Sequence, residues 1–440
     1  MKRKVAFISE HASPLAVLGG VDSGGQNVYV ARVASHLAKQ GYEVDIFTRW
    51  DSEALEKVVV LEPGVRVIHV EAGPKKSIPK EKLYQLMDEF ASDMLLFMEK
   101  NKIRYELIHA HFWMSGYVAA LIKNILQIPF VITFHALGKV RRAHQGTADG
   151  FPDERFHIEE MVAKEADVVI AECPQDKEDL MIHYFVEEEK IRIIPCGFDK
   201  AEFFPISKQE ARTKLGLSQQ EHIVLQLGRM VKRKGVDTVV KALGLLQKKT
   251  NLPVRLLIVG GESDDADPIK TPEIGRLQQI AQEENIEGKI TFIGRKTRDE
   301  LKYYYNAADV FVTTPWYEPF GITPLEAMAC GTPVIGANVG GIKYSVDHCK
   351  TGFLVPPKEP EILSERLMEL ISNSDLLKKF SLEAIKRVNT MFTWETVSKE
   401  IIDLYESITR KPVMEKIQSS LSELISFWRK EKSVNENLIK

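Results

Sequence analysis

The chain has 440 residues, more than the roughly 100–200 that one compact domain usually holds, so we expect two domains. Its hydrophobic share of 44% and charged share of 28% are typical of a globular enzyme and exclude a disordered or fibrous chain. The net charge of -3 excludes a global basic field that would recruit nucleic acid or an anionic membrane.

Cysteine spacing and the N-terminal segment indicate a cytoplasmic protein. The four cysteines form no Cys-x-x-Cys pair, so we expect neither a zinc site nor a disulfide framework. The basic start Met1–Lys4 is followed by an apolar run too short for a signal peptide. No stretch approaches the roughly 20 apolar residues of a membrane span.

Short apolar runs alternate with helical patterns along the first half of the chain. This alternation predicts a parallel sheet covered by helices on both faces. The predicted strands are Val5–Ser9, Glu43–Thr48, Leu107–Ala110, Phe130–Phe134, Val168–Ala171 and Arg192–Pro195, and the predicted helices include Val28–Lys39 and Gly116–Leu126.

The alternation stops between about residues 196 and 220 and then starts again. The later predicted strands are His222–Leu227, Val254–Val259, Lys289–Ile293, Val310–Thr313, Pro333–Gly336 and Gly352–Val355. We therefore predict two Rossmann-like α/β domains, residues 1–195 and 196–395, facing each other across a cleft. A ligand should bind in that cleft, outside the carboxyl ends of the strands.

The last segment, residues 412–440, forms an amphipathic helical pattern. Apolar side chains from Met414 to Trp428 fall on one helical face, with Glu, Ser and Lys opposite. We expect a terminal helix that packs on the body of the protein or on a second copy in a homo-oligomer.

Three glycine-containing segments are candidates for ligand binding, and the first two are Asp22–Asn27 and Leu227–Gly235. Asp22–Asn27 stands directly before a helix, where Gly24 and Gly25 allow a close approach and free N–H groups favour an anion. Arg229 and Lys234 follow the first strand of the second half, and both could bind phosphate oxygens. Each segment alone is also compatible with an ordinary loop.

The run from Glu318 to Pro333 combines two carboxylates with Gly and Pro at the ends of a short helix. Pro324 suits the first helical turn and Gly331 the end, which places Glu318 in the loop and Glu326 on the helix. Two carboxylates so placed can accept hydrogen bonds from separate hydroxyls of one elongated ligand. Gly340–Gly341, after the next strand, is a weaker candidate for a close approach to that ligand.

Three histidines lie near strand ends of the first half. His109 and His111 share one face of a strand, and we expect them to be structural because further metal ligands are missing at a suitable spacing. His135 ends a strand at the cleft, where its imidazole or its backbone carbonyl could meet a reacting hydroxyl.

Together these segments resemble the retaining glycosyltransferases of family 4, which have the two-Rossmann GT-B fold. The resemblance covers about residues 4–410 and is most specific in the run from Glu318 to Ile335. Asp22–Val30 and Gly150–Arg155 are most similar to sucrose-phosphate synthases and to the transferases that glycosylate inositol phosphate. The resemblance also implies that a helix at residues 396–411 crosses back to the first domain.

The family implies a role for each candidate in binding a nucleotide sugar. Arg229 and Lys234 would hold the diphosphate, so that neither a metal nor a cofactor is expected, and His135 would lie beside the transferred sugar. The remaining implied contacts are Glu326 with the ribose, Glu318 with the sugar hydroxyls, and Gly24, Gly25, Phe320, Gly321 and Ile322 with the donor.

The phosphate-acceptor relatives imply a basic acceptor site in the first domain. By this resemblance the acceptor would be small and phosphorylated or otherwise anionic. One departure is Phe112, where the inositol-phosphate enzymes have a tyrosine, and it argues against that acceptor. The implied acceptor-binding residues are Asn27, Lys80, Lys139, Arg141 and Arg155.

The leading hypothesis is transfer of glucose from UDP-glucose to a small acceptor such as fructose 6-phosphate. UDP-N-acetylglucosamine or GDP-mannose are alternative sugar donors. A phosphorylase would need a cofactor lysine signature that the sequence lacks, and epimerases of this fold lack the Glu318–Glu326 run as it stands here. A non-catalytic nucleotide-sugar-binding protein is a further alternative.

Overall fold

The computed structural model describes residues 3–16 and 24–409, which form two separate β-sheets. Asp22 and Ser23 of the first glycine-containing segment, and the predicted helical tail 412–440, lie outside the described residues. Among the helices that are described, none is long and apolar enough to cross a bilayer.

The first half of the chain forms an eight-stranded sheet with the order β3-β4-β2-β1-β5-β6-β7-β8. Every neighbouring pair is parallel except β3 and β4, which pair antiparallel at one edge. The strands are β1 Lys4–Ile8, β2 Glu43–Arg49, β3 Val58–Glu62, β4 Val65–Val70, β5 Leu107–His111, β6 Phe130–Thr133, β7 Val168–Ala171 and β8 Ile191–Ile193. The helices are α1 Gly25–Lys39, α2 Met87–Asn101, α3 Trp113–Leu126, α4 Gly138–Gln145, α5 Glu154–Glu165 and α6 Pro174–Tyr184.

The second half forms a six-stranded, fully parallel sheet with the order β11-β10-β9-β12-β13-β14. Its strands are β9 His222–Leu227, β10 Val254–Val259, β11 Ile290–Gly294, β12 Val310–Thr313, β13 Val334–Ala337 and β14 Gly352–Val355. The helices after β8 are α7 Lys208–Lys214, α8 Val236–Lys249, α9 Pro272–Glu283, α10 Arg298–Ala307, α11 Thr323–Ala329, α12 Gly340–Ser345, α13 Pro360–Ile371, α14 Ser374–Met391 and α15 Trp394–Thr409.

Both sheets have the strand burial that helices on two faces impose. Strand β5 is buried at every position, and so are β6, β7, β12 and β13. A strand covered on both faces favours continuous apolar runs over alternation, which is why these strands could be predicted from the sequence. The predicted fold, two parallel-sheet α/β units with additional C-terminal helices, is confirmed.

Helix α15 follows the second half in sequence but packs on the first. The Trp394 indole lies edge-on to Tyr29 of α1 with ring centroids 5.6 Å apart. The Tyr405 hydroxyl lies 2.6 Å from Nδ1 of His109, a buried residue of β5. The first sheet ends at Ile193 and the second begins at His222, and the domain boundary at 195 and 196 stays a prediction.

Candidate functional site

An ion pair between Lys234 and Glu318 joins two of the predicted ligand-binding segments. Lys234 lies in the loop after β9, and Glu318 lies in the loop after β12, the neighbouring strand. The ammonium group contacts Oε2 of Glu318 directly, and the two side chains are 19% and 13% exposed. The carboxyl ends of adjacent parallel strands meet at one edge of a sheet, which brings the two residues together.

Burial and mutual attraction act in opposite directions on this pair. Burial lowers the pKa of Lys234 to about 8, although Glu318 partly opposes that shift. For Glu318, burial alone would raise the pKa, but the positive charges of Lys234, Arg233 and Arg229 hold it below its usual value. The site therefore concentrates positive charge around one ionised carboxylate, an arrangement suited to an anionic ligand that also offers hydroxyls.

Close backbone packing holds both loops in place. A Cβ on Gly235, whose φ is +65°, would lie 2.0 Å from the carbonyl oxygen of Thr314. On Gly340 a Cβ would lie 1.8 Å from the carbonyl oxygen of Glu318, and on Gly341 it would lie 2.3 Å from Cα of Phe320. In the sequence, Gly340–Gly341 is only a weak candidate for a close approach to a ligand, and in the structure both glycines approach the backbone of the Glu318 loop.

The N-terminus of α1 lies against the same loop from the first half of the chain. A Cβ built on Gly25 would lie 3.7 Å from Cδ1 of Ile322, so the two glycine-containing segments face each other. Asn27 caps this helix: its Oδ1 accepts from Gly24 N at 2.9 Å and its Nδ2 donates to Ser13 O at 2.9 Å. The side chain of Asn27, predicted to bind the acceptor, is thus buried and holds the start of the helix.

Glu326 lies inside α11 and is only 3% exposed at its side chain. The hydroxyl of Tyr305 donates to its Oε2 at 2.8 Å, and Nη1 of Arg298 lies 2.9 Å from its Oε1. The sequence predicted Glu326 as a ligand-binding carboxylate but not Arg298. Arg298 is the first residue of α10, the helix after β11, so it also lies at the carboxyl edge of the sheet.

His135 is held by other side chains and is 8% exposed at its own. Its Nδ1 lies 3.1 Å from Oε1 of Glu172, and its Nε2 lies 3.2 Å from Nδ1 of His111. Its φ of +57° is in the left-handed region, which is uncommon for a residue with a side chain. Both ring nitrogens thus have partners within the first half, and a contact between His135 and a ligand stays a prediction.

A cavity of about 320 Å³ lies between the two halves of the chain. It is lined by Leu137 and Asp176 from the first half and by Tyr317, Glu318 and Asn338 from the second. Burial, with the nearby Glu172, raises the pKa of Asp176 to about 8. Sequence reasoning missed Glu172 and Asp176, although both closely follow β7 at the carboxyl edge of the first sheet.

Arg155, predicted to bind the acceptor, is completely buried in α5. Its Nε lies 2.7 Å from Oε1 of Glu159, and its guanidinium lies over the rings of Phe112 and Phe151, 4.9 and 4.6 Å from their centroids. This geometry indicates a structural role for Arg155, because Glu159 on the same helix neutralises its charge.

Two of the other predicted acceptor-binding residues are also ion-paired. Nζ of Lys139 lies 2.5 Å from Oε1 of Glu160, and Nε of Arg141 lies 2.7 Å from Oδ1 of Asp149. Lys80 lies half-buried in a short 3₁₀ turn of the first half. An acceptor phosphate would therefore compete with carboxylates for Lys139 and Arg141, and their role in binding it stays a prediction.

The predicted structural role of His109 agrees with its surroundings. Besides Tyr405, it lies 2.9 Å from the hydroxyl of Thr133, and burial lowers its pKa well below the usual value. Within the described part of the chain, no cluster of three or more His, Cys, Asp or Glu side chains could hold a metal ion.

Two glycosyltransferase families match consecutive parts of the chain. Residues 23–202 match Glycosyltransferase Family 4, and residues 207–387 match Glycosyl transferases group 1.

Several known proteins are similar to this chain over nearly their whole length. The D-inositol 3-phosphate glycosyltransferase of Corynebacterium glutamicum is 33% identical over 91% of this chain and 96% of its own. The protein of the same name from Rhodococcus jostii is 34% identical over 92% of this chain and 90% of its own. The sucrose-phosphate synthase of Thermosynechococcus elongatus has a structure with a TM-score of 0.84 and 33% identity, covering 92% of this chain and 99% of its own. The chain is thus an enzyme with the GT-B fold that belongs to the glycosyltransferases, with a family 4 domain followed by a group 1 domain.

Proposed function

We propose that the enzyme is a retaining hexosyltransferase that moves glucose from UDP-glucose to a small phosphorylated acceptor, in the manner of a sucrose-phosphate synthase. The observation that supports this most directly is the Lys234–Glu318 pair. It places an ammonium group and a carboxylate side by side at the cleft, where a diphosphate and a hydroxyl-rich sugar meet in a nucleotide sugar.

The charges at this edge suit the chemistry of glycosyl transfer. The bond between the anomeric carbon and the diphosphate oxygen breaks, and its electron pair leaves with the nucleotide diphosphate. An acceptor hydroxyl oxygen forms the new bond to the anomeric carbon, and its proton passes to the leaving diphosphate. Lys234 and Arg229 stabilise that developing negative charge, as preorganised positive groups do in other transfer reactions. Glu318 binds sugar hydroxyls, and the amides of Phe320–Ile322 lie beside the phosphates. Because the two cations supply the charge, the reaction requires no metal ion.

Support for a phosphorylated acceptor comes from the relatives. The names of the similar proteins refer to inositol 3-phosphate and to sucrose phosphate, so each of them handles a phosphorylated sugar or polyol. In this chain the acceptor would lie on the first half, near Lys80 and Arg141. We favour fructose 6-phosphate over inositol 3-phosphate, because Phe112 has no hydroxyl with which to bind a phosphate.

A matrix of sugar donors and acceptors tests this proposal. Purified protein is incubated with UDP-glucose, UDP-N-acetylglucosamine or GDP-mannose, each alone and with fructose 6-phosphate, inositol 3-phosphate or unphosphorylated fructose, while nucleotide release is followed. We expect fast release only with UDP-glucose and a phosphorylated acceptor, unchanged by a metal chelator. Equal rates with fructose and fructose 6-phosphate would contradict the phosphorylated acceptor, and binding of UDP without any release would indicate a non-catalytic protein.

A further inference from the structure

Glu326 is a buried carboxylate whose orientation depends on one ion pair. Its side chain is 3% exposed, and its neighbours are the neutral hydroxyl of Tyr305 and the guanidinium of Arg298. A buried carboxylate without a positive partner is disfavoured and tends to take up a proton or turn away. Arg298 is therefore the positively charged group that holds the Glu326 carboxylate in its orientation.

Arg298 bridges two carboxylates at once. While Nη1 contacts Glu326, Nε donates to Oε2 of Glu202 at 2.6 Å. The guanidinium also lies 4.9 Å from the centroid of the Phe203 ring, and the Arg298 side chain is 17% exposed. A planar guanidinium can span two acceptors in this way, whereas a lysine ammonium is a single point charge.

Glu202 connects this pair to the first half of the chain. It lies between β8 and α7, and its other oxygen, Oε1, accepts from Nη2 of Arg32 on α1. Nη1 of Arg32 donates to Oδ2 of Asp199 at 3.1 Å. An unbroken series of ion pairs thus runs from α1 through the connection between the sheets to Glu326.

Helix α1 is in contact with the candidate site at its other end as well. Gly25, its first residue, faces Ile322 in the loop directly before α11. The position of α1 therefore affects α11 both through this contact and through Arg32, Glu202 and Arg298.

We propose that Arg298 is a positioning residue for nucleotide binding, which orients Glu326 toward the ribose, and that Glu202 and Arg32 couple this orientation to the first half of the chain. This inference rests on the proposed function, in which Glu326 binds ribose hydroxyls. It adds that nucleotide affinity depends on residues that do not touch the nucleotide.

Calorimetric binding of UDP, 2′-deoxy-UDP and 3′-deoxy-UDP tests the positioning role. The wild-type enzyme should bind UDP about tenfold or more tightly than at least one deoxy analogue, because a hydrogen bond to a charged carboxylate is lost. In Arg298→Ala that ratio should fall toward one, while the contribution of the diphosphate remains. Arg298→Lys should behave like the alanine variant, because lysine cannot span both carboxylates.

A control variant and a second variant separate the effect of Arg298 on nucleotide binding from the general loss of an ion pair and from misfolding. Arg255→Ala breaks a two-bond pair with Glu221 at the start of β9, the opposite edge of the same sheet, and should leave the ratio unchanged. If Arg298→Ala does not fold, Glu202→Gln removes the neighbouring charge without opening a cavity and should also reduce the ratio.

The outcomes distinguish this inference from the proposed function. A wild-type enzyme that does not discriminate between UDP and either analogue would overturn the ribose contact of Glu326, and the positioning role with it. Wild-type discrimination that persists in full in Arg298→Ala and Glu202→Gln, or that Arg298→Lys restores, would overturn the positioning role alone.

A double-mutant cycle tests the coupling to the first half. Arg32 and Arg298 contact different oxygens of Glu202, so the effects of Arg32→Gln and Arg298→Ala on UDP affinity should be non-additive. Strict additivity would show that the series of ion pairs does not transmit the position of α1.

Discussion

At the residue scale, the protonation state of Lys234 affects the charge of the site that we propose binds a diphosphate. Its pKa is lowered to about 8, so the ammonium form predominates below that pH and is lost above it. We predict that kcat/KM for the sugar donor, which reports on the free enzyme, declines as the pH rises through about 8.

The matched variant for this prediction is Lys234→Arg, whose guanidinium stays charged. Its kcat/KM should be lower than that of the wild type below about pH 8, but it should not decline further as the pH rises. Lys234→Ala should abolish transfer while the fold persists. The pH profile of initial rates at low UDP-glucose measures this directly. A wild-type profile that stays flat to about pH 10, the ordinary range of lysine, would contradict the assigned role.

Also at the residue scale, the buried pair of Arg155 and Glu159 contributes to stability. Removing one partner leaves the other charge buried without compensation. We predict that Arg155→Ala lowers the free energy of unfolding by about 3–5 kcal/mol. Chemical denaturation measures the loss, with Lys399→Ala as the control, because its i,i+4 pair with Glu395 on α15 is exposed. A variant of normal stability that has lost only acceptor affinity would favour the acceptor contact that the sequence predicted.

At the element scale, the start of α12 supports the loop that contains Glu318. The N–H of Gly341 donates to the carbonyl oxygens of Glu318 and Pro319, 3.3 and 3.1 Å away, and its Cα leaves no room for a side chain. We predict that Gly341→Ala displaces this loop and reduces kcat/KM for UDP-glucose about a hundredfold, since small misplacements at a site have effects of that order. Gly288→Ala, where a Cβ would meet no atom within 4 Å, is the control. Unchanged kinetics in Gly341→Ala would show that the loop does not depend on this packing.

The buried strands could be predicted from the sequence more easily than the strands at the edge of the sheet. Buried strands such as β5 and β12 were predictable because continuous apolar runs between helical patterns have few alternatives. Strands β3 and β4 were both missed. Val60 of the edge strand β3 is exposed, and the antiparallel pairing of β3 with β4 interrupts the alternation of strands and helices.

Side-chain partners were harder to predict than the elements that hold them. The proximity of Lys234 and Glu318 could be predicted from the sheet topology, because the two residues follow the ends of adjacent parallel strands. Arg298 bridging Glu202 and Glu326 joins three positions far apart in sequence, and no local pattern indicates it. Arg155 and Glu159 are four residues apart on one helix, a spacing that could have indicated their pairing.

At the scale of the whole molecule, α15 ties the end of the described chain to the first half. The Tyr405 hydroxyl is the partner of Nδ1 of His109, and both residues are buried. We predict that Tyr405→Phe lowers the free energy of unfolding by about 1–3 kcal/mol, because it leaves a buried polar atom without a partner. Its KM for UDP-glucose should be unchanged. Thermal denaturation beside Tyr303→Phe, a half-buried tyrosine of α10, checks the effect, and equal melting temperatures for the two variants would contradict it.

NMR of the reaction mixture tests the proposed transfer of glucose, with retention, from UDP-glucose to fructose 6-phosphate. With UDP-glucose and fructose 6-phosphate, we predict one equivalent of UDP for each equivalent of an α-glucosylated phosphorylated product, and neither UDP nor product with Lys234→Ala. A β-linked product, or no glucosylated product from fructose 6-phosphate, would contradict it.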